Sequence, residues 1–176
     1  MKNERTSAHK VALSGLLFAL AMALSFLEGT LTLPGLLPGM KLGLANVVVM
    51  YALLFMGPKQ ALWLDVLKGL FVLLVTGPTA GFLSLCGGLL SLLVMWILWY
   101  RLPVRPTWFI LSVSGALAHN IGQLIGAGFL LSSVLSLYYA PIMLLLGLAM
   151  GALTSLVLRA ILPALGKLGF ETKEKM

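Results

Sequence analysis

Six long apolar segments, at roughly 10–27, 42–57, 60–76, 81–100, 108–131 and 138–162, take up most of this 176-residue chain. A helix needs about 20 predominantly apolar residues, within a usual range of roughly 17–25, to cross the hydrocarbon core of a bilayer. The last three segments meet that length easily. The second and third are shorter and are joined only by Gly57-Pro58-Lys59, which predicts a tight helical hairpin. Hydrophobic residues make up 60% of the chain and charged residues 10%, against about 25% charge in an ordinary soluble domain. The fold expected is an all-α integral membrane protein, a bundle of six transmembrane helices in one domain over residues 10–165. Short tails at 1–9 and 166–176 flank it. The first apolar run is read as retained, because no convincing cleavable signal precedes it.

Six spans place both termini on one side. That side would carry Lys2, Arg5, Lys10, Lys59, Arg101, Arg105, Arg159, Lys167, Lys173 and Lys175, and the other only Lys41. Lysine and arginine accumulate on cytoplasmic loops, so both termini are expected in the cytoplasm and the protein in the cell membrane as a multi-pass component. The same distribution accounts for the net charge of +7. The basic residues flank spans and form no aromatic-interleaved stripe, which argues against a nucleic-acid partner. A single cysteine, Cys86, excludes a disulfide framework.

Polar residues inside apolar segments are the candidates for function, because lipid rejects them unless they face a bundle interior or a wet cavity. In "ILSVSGALAHNIGQLIGAGFLL", Ser112, Gly115, Ala116, His119, Gly122, Gln123, Gly126 and Ala127 share one face of a helix, with Asn120 at its edge. That face is small and polar, and it must point inward. His119, Asn120 and Gln123 either glue neighbouring helices together or line a ligand cavity. In "WLDVLKG", Asp65 and Lys68 stand three residues apart on one helical face and can pair. They form either a structural ion pair or a device that aims Lys68 at an anionic ligand group. Lys41 and Asn46, at the start of the second segment, could join the same outer pocket. Two histidines in total, with His9 in the tail, point to no metal site. No cofactor is implied.

The connection "LEGTLTLPGLLPGMKLG", about 28–41, is too apolar for a solvated loop and is expected to fold back over the bundle as filler or as a lid. In "VALSGLLFALAMALSF", Gly15, Ala19 and Ala23 repeat every four residues and form a flat ridge. Such ridges allow another helix to approach closely, whether from inside the bundle or from a partner.

The stretches "LPGMKLGLANVVVMYALLFMGPKQALWLDVLKGLF", "SLCGGLLSLLVM" and "GALAHNIGQL" resemble the Gx transporter family, also catalogued as heptaprenyl diphosphate synthase component I, over about residues 10–165. That family is grouped with the S-components of energy-coupling-factor transporters, six-helix proteins that capture vitamins. The resemblance implies that Gly15, Ala19 and Ala23 dock a coupling subunit and that residues 29–40 lid the substrate. It leads one to expect arginine where Lys68 stands, so anion contact there would be point-like and not bidentate.

No catalytic residues are assigned. Prenyl elongation needs clustered aspartates to hold Mg²⁺ against a diphosphate, and this chain has one Asp in total. No phosphate-binding G-x-x-x-x-G-K-[ST] loop occurs either. The reading is a non-enzymatic, S-component-like subunit that binds a small anionic, vitamin-like or quinone-precursor-like molecule for uptake. Its partners would be an energy-coupling transmembrane subunit and ATPases. The alternative is a non-catalytic membrane subunit in isoprenoid or menaquinone synthesis, whose partner would be a prenyl synthase catalytic subunit.

Overall fold

Two Gly-Pro steps punctuate the first half of the chain. Gly57 and Gly77 both sit at φ above +100°, a backbone region that glycine enters without the steric penalty of a side chain. Each is followed by a proline at the first position of the next helix, where its missing N–H costs no intrahelical bond. The chain therefore turns within one residue at both places.

The computed structural model describes residues 2–30, 40–130 and 133–167, with side chains over 11–30, 40–130 and 137–160. It contains helices α1 (Lys2–Thr30), α2 (Asn46–Tyr51, continued by a π-helical turn over Ala52–Met56), α3 (Pro58–Thr76), α4 (Pro78–Tyr100), α5 (Trp108–Leu130) and α6 (Ser133–Lys167). Each of the six apolar segments contains a helix, and no strand occurs among the described residues. Residues 31–39, most of the expected lid, lie outside the described residues, as do 168–176 of the C-terminal tail.

Among the described residues, four helical stretches are long and apolar enough to cross a membrane: Val11–Thr30, Pro78–Tyr100, Trp108–Leu130 and Leu137–Ala160. They turn large apolar side chains outward, among them Leu16, Leu93, Phe129, Leu145 and Leu156. Water would make such faces a liability; lipid is their natural solvent. The chain is a multi-pass membrane protein by this measure. At 19 residues α3 is also about 28 Å long, but Lys59, Asp65 and Lys68 interrupt its apolar character.

The second segment departs from the expected span over 42–57. Its helix covers only Asn46–Met56, about 16 Å at 1.5 Å per residue, half of a hydrocarbon core of about 30 Å. It is wrapped by the other helices: every residue from Val48 to Met56 is buried. Leu17 and Ala21 of α1, Leu64 of α3, Met95 of α4, Leu111 of α5 and Leu158 of α6 belong to the same apolar cluster. The central helix is thus core rather than wall. Around it α3, α4, α5 and α6 pack in chain order, and α1 leans on α3 and α2. Helices α4 and α5 approach to backbone contact, because a Cβ on Gly122 would lie 2.5 Å from the Cys86 carbonyl oxygen. Only glycine fits there.

Candidate functional site

Residues 40–45, which lead into α2, are non-helical, yet Met40, Lys41, Gly43 and Ala45 are buried among the helices. Unpaired amides in such a buried setting are costly. Two side chains answer for them. Gln123 of α5 treats Lys41 as a strand neighbour would: its Nε2 donates to the Lys41 carbonyl at 2.8 Å, and its Oε1 accepts the Lys41 N–H at 2.9 Å. One primary amide thus reproduces a two-bond backbone pairing. From the opposite side, the Glu28 carboxylate of α1 accepts the Leu44 N–H and also engages the Gly43 N–H. Gly43 itself has φ +90°, so its backbone can turn there without a Cβ clash. The turn closes into α2 through Asn46 N–H to Gly43 O at 3.0 Å.

The charges gather around this segment. Lys68 Nζ lies 2.7 Å from Asp65 Oδ1 and donates to Asn46 Oδ1 at 2.8 Å. Lys41 Nζ donates to the Ser25 carbonyl of α1 at 3.0 Å. Glu28, Lys41, Asp65 and Lys68 are 6%, 6%, 1% and 2% exposed, so all four charges are withdrawn from solvent. Two acids face two bases, and the cluster is neutral as a set. That balance matters, because a buried charge without a partner is worth several kcal/mol of destabilisation, roughly 3–5 when a pair is broken.

Helix α4 makes room for the cluster with two consecutive glycines. A Cβ on Gly88 would overlap the Asp65 carboxylate, and one on Gly87 would lie 2.8 Å from His119 Nδ1 and Cε1. The His119 ring is wedged between Gly87 and Gly43, with Cδ2 3.2 Å from where a Gly43 Cβ would be. Asn46 Nδ2 comes within 3.0 Å of the same point.

Of the residues singled out in the sequence, Lys41, Asn46, Asp65, Lys68, His119 and Gln123 come together here. Asn120 does not join them. Its Nδ2 donates to the Met143 carbonyl of α6 at 2.5 Å, and Ser112 likewise donates to the Gly151 carbonyl at 2.7 Å. Both tie α5 to α6. Glu28 and Ser25 were missed by sequence reasoning. A signal existed for Glu28: it and Asp65 are the only acidic residues between positions 5 and 170. No three His, Cys, Asp or Glu side chains converge among the described residues.

Gly15, Ala19 and Ala23 all lie on the exposed side of α1, and no atom approaches within 4 Å of a Cβ placed on Gly15. Among the described residues the ridge is left exposed. A groove of about 410 Å³ opens between α5 and α6, lined by the apolar side chains of Ile121, Leu124, Ile125, Phe129 and Leu137 among others.

A family model described as heptaprenyl diphosphate synthase component I matches residues 17–161. No curated protein and no solved structure matches the chain.

Proposed function

We propose that this chain, which belongs to the heptaprenyl diphosphate synthase component I family, is a non-catalytic membrane subunit that works beside a separate prenyl synthase catalytic subunit. The family match carries the reading, and the two acids inside the bundle are in keeping with it. Diphosphate chemistry needs aspartates converging on Mg²⁺. Here Asp65 is engaged with Lys68 and Glu28 with the backbone of the α2 lead-in, so neither is presented to a metal–diphosphate complex. The subunit would hold its partner at the membrane in which a growing prenyl chain dissolves. Both termini would be cytoplasmic in the cell membrane, with six crossings. The second crossing would be made by the non-helical 40–45 segment together with α2, since extended chain covers about 3.3 Å per residue against 1.5 Å in helix. The test is reconstitution in liposomes with a soluble prenyl synthase subunit from the same cell. Binding and a change in yield or chain length of the prenyl product are expected; a synthase that neither binds nor responds overturns the reading.

A second reading is favoured by a specific observation. The ridge of Gly15, Ala19 and Ala23 faces outward on α1, as a helix-docking surface for an energy-coupling subunit would. Under it the chain captures a small ligand among Lys41, Asn46, Asp65, Lys68, His119 and Gln123, with Asn120 bracing the α5–α6 wall of the site. Residues 29–40 would close over the ligand. Native mass spectrometry of gently purified protein should then find a co-purifying small molecule, and affinity purification should bring down membrane-coupled ATPases in place of a prenyl synthase.

A further inference from the structure

Glu28 is buried at the end of α1, against the turn that leads into α2. Its carboxylate lies against the successive N–H groups of Gly43 and Leu44, where the chain turns at φ +90°. Successive amides converging at such a turn form a nest, a backbone concavity suited to an anion. Lys41 and Lys68 both act on Glu28 electrostatically, and Lys41 Nζ comes within 3.9 Å of where a Cβ on the adjacent Gly29 would be. The nest holds the carboxylate, and the two ammonium groups, bonded to the Ser25 carbonyl and to Asp65 and Asn46, add positive potential around it. That carboxylate is the chain's own, carried on α1.

We propose that Glu28 is a built-in pseudo-ligand: it plugs an oxyanion site made by the Gly43 and Leu44 amides with Lys41 and Lys68, and an anionic ligand group binds by displacing it. The ligand class is a carboxylate or phosphate head with at least two acceptor oxygens. Displacement frees Glu28 from the α2 lead-in and so loosens one of the ties between the end of α1 and the bundle. Occupancy of the site is thereby transmitted to the helix that bears the exposed ridge. With Glu28 removed the remaining charges are Lys41, Lys68 and Asp65, a net positive set that favours the incoming anion. The inference deepens the ligand-capture reading and rests on it. The two fail separately: that reading stands on a co-purifying molecule, whereas this one is decided by Glu28 variants of the emptied protein.

The experiment uses the full chain in nanodiscs of zwitterionic lipid, titrated by calorimetry with inorganic diphosphate in one arm and butyrate in the other. Wild type should bind weakly. Glu28→Gln should bind at least one of the two anions about tenfold or more tightly, and Glu28→Gln/Lys41→Met should lose that gain. The arm that responds identifies the phosphate or the carboxylate class. Glu28→Asp, which keeps the charge but shortens the reach, should show a smaller gain. Folded variants with wild-type affinity for both anions would overturn the proposal. So would failure of both single variants to fold, which would make Glu28 a permanent cap on the α2 lead-in.

Discussion

Replacing Gln123 by leucine separates a clamp on the backbone from a side chain that merely touches a ligand. A ligand-lining glutamine, as the sequence pattern suggests, would lower affinity on replacement and leave stability almost unchanged. The structure gives this amide a backbone task as well, since it makes two bonds to Lys41, at 2.8 and 2.9 Å, and is 1% exposed. Leucine has a similar volume and leaves the Lys41 N–H and carbonyl without partners in a dry interior. Each stranded buried group costs about 1–3 kcal/mol, so the raw loss is about 2–6 kcal/mol. Leucine also removes the desolvation burden of the amide itself, which offsets part of that and points to about 2–4 kcal/mol. Side-chain hydrogen bonds between membrane helices average only about 0.6 kcal/mol, so the clamp stands well clear of ordinary interhelical glue. Equilibrium unfolding in mixed micelles, or steric trapping in bicelles, measures the difference directly. A loss of about 0.6 kcal/mol or less would refute the clamp and return Gln123 to the ligand.

Ala19→Leu should leave unfolding unchanged within about 0.5 kcal/mol, because Ala19 is exposed, and should abolish co-purification with a helix-docking partner; a large drop in stability would place the ridge inside a packed interface. Gly88→Ala forces a methyl into the Asp65 carboxylate, so thermal unfolding should move down by an amount worth about 1–3 kcal/mol; an unchanged midpoint would mean that α3 and α4 are farther apart. Lys68→Met strands Asp65 and should cost about 3–5 kcal/mol, while Asp65→Asn/Lys68→Met should recover much of that; equal losses in the two variants would show that the pair is not energetically coupled. A reporter fused after Met176 should be active only in its cytoplasm-competent form and one near Gly35 only in its exported form, and swapped activities would invert the topology.

What the sequence determines by itself is whatever depends on near neighbours along the chain. Long apolar runs place the six helical segments, because hydropathy is a local property and each helix satisfies its own backbone. Gly57-Pro58 marks a turn by conformational preference alone, and the inner face of α5 can be read from the 100° step of a helix. Asp65 and Lys68 pair within one helix, so their spacing was enough. Tertiary structure alone decided the rest. The second apolar run looks long enough for half a crossing or a whole one, and hydropathy cannot tell wall from core; its shortening to Asn46–Met56 follows from burial by five neighbours at once. Asn120 and Gln123 sit three residues apart, close to one helical turn, and look equivalent, yet one bonds Met143 on α6 and the other Lys41, 82 residues away. Glu28 stands only as one residue of the connection at about 28–41 until the α2 lead-in folds against it. In each case the deciding term is the pairing of a buried polar group with a backbone distant in sequence. Composition and periodicity say that such a group must find a partner, and only the packed bundle says which.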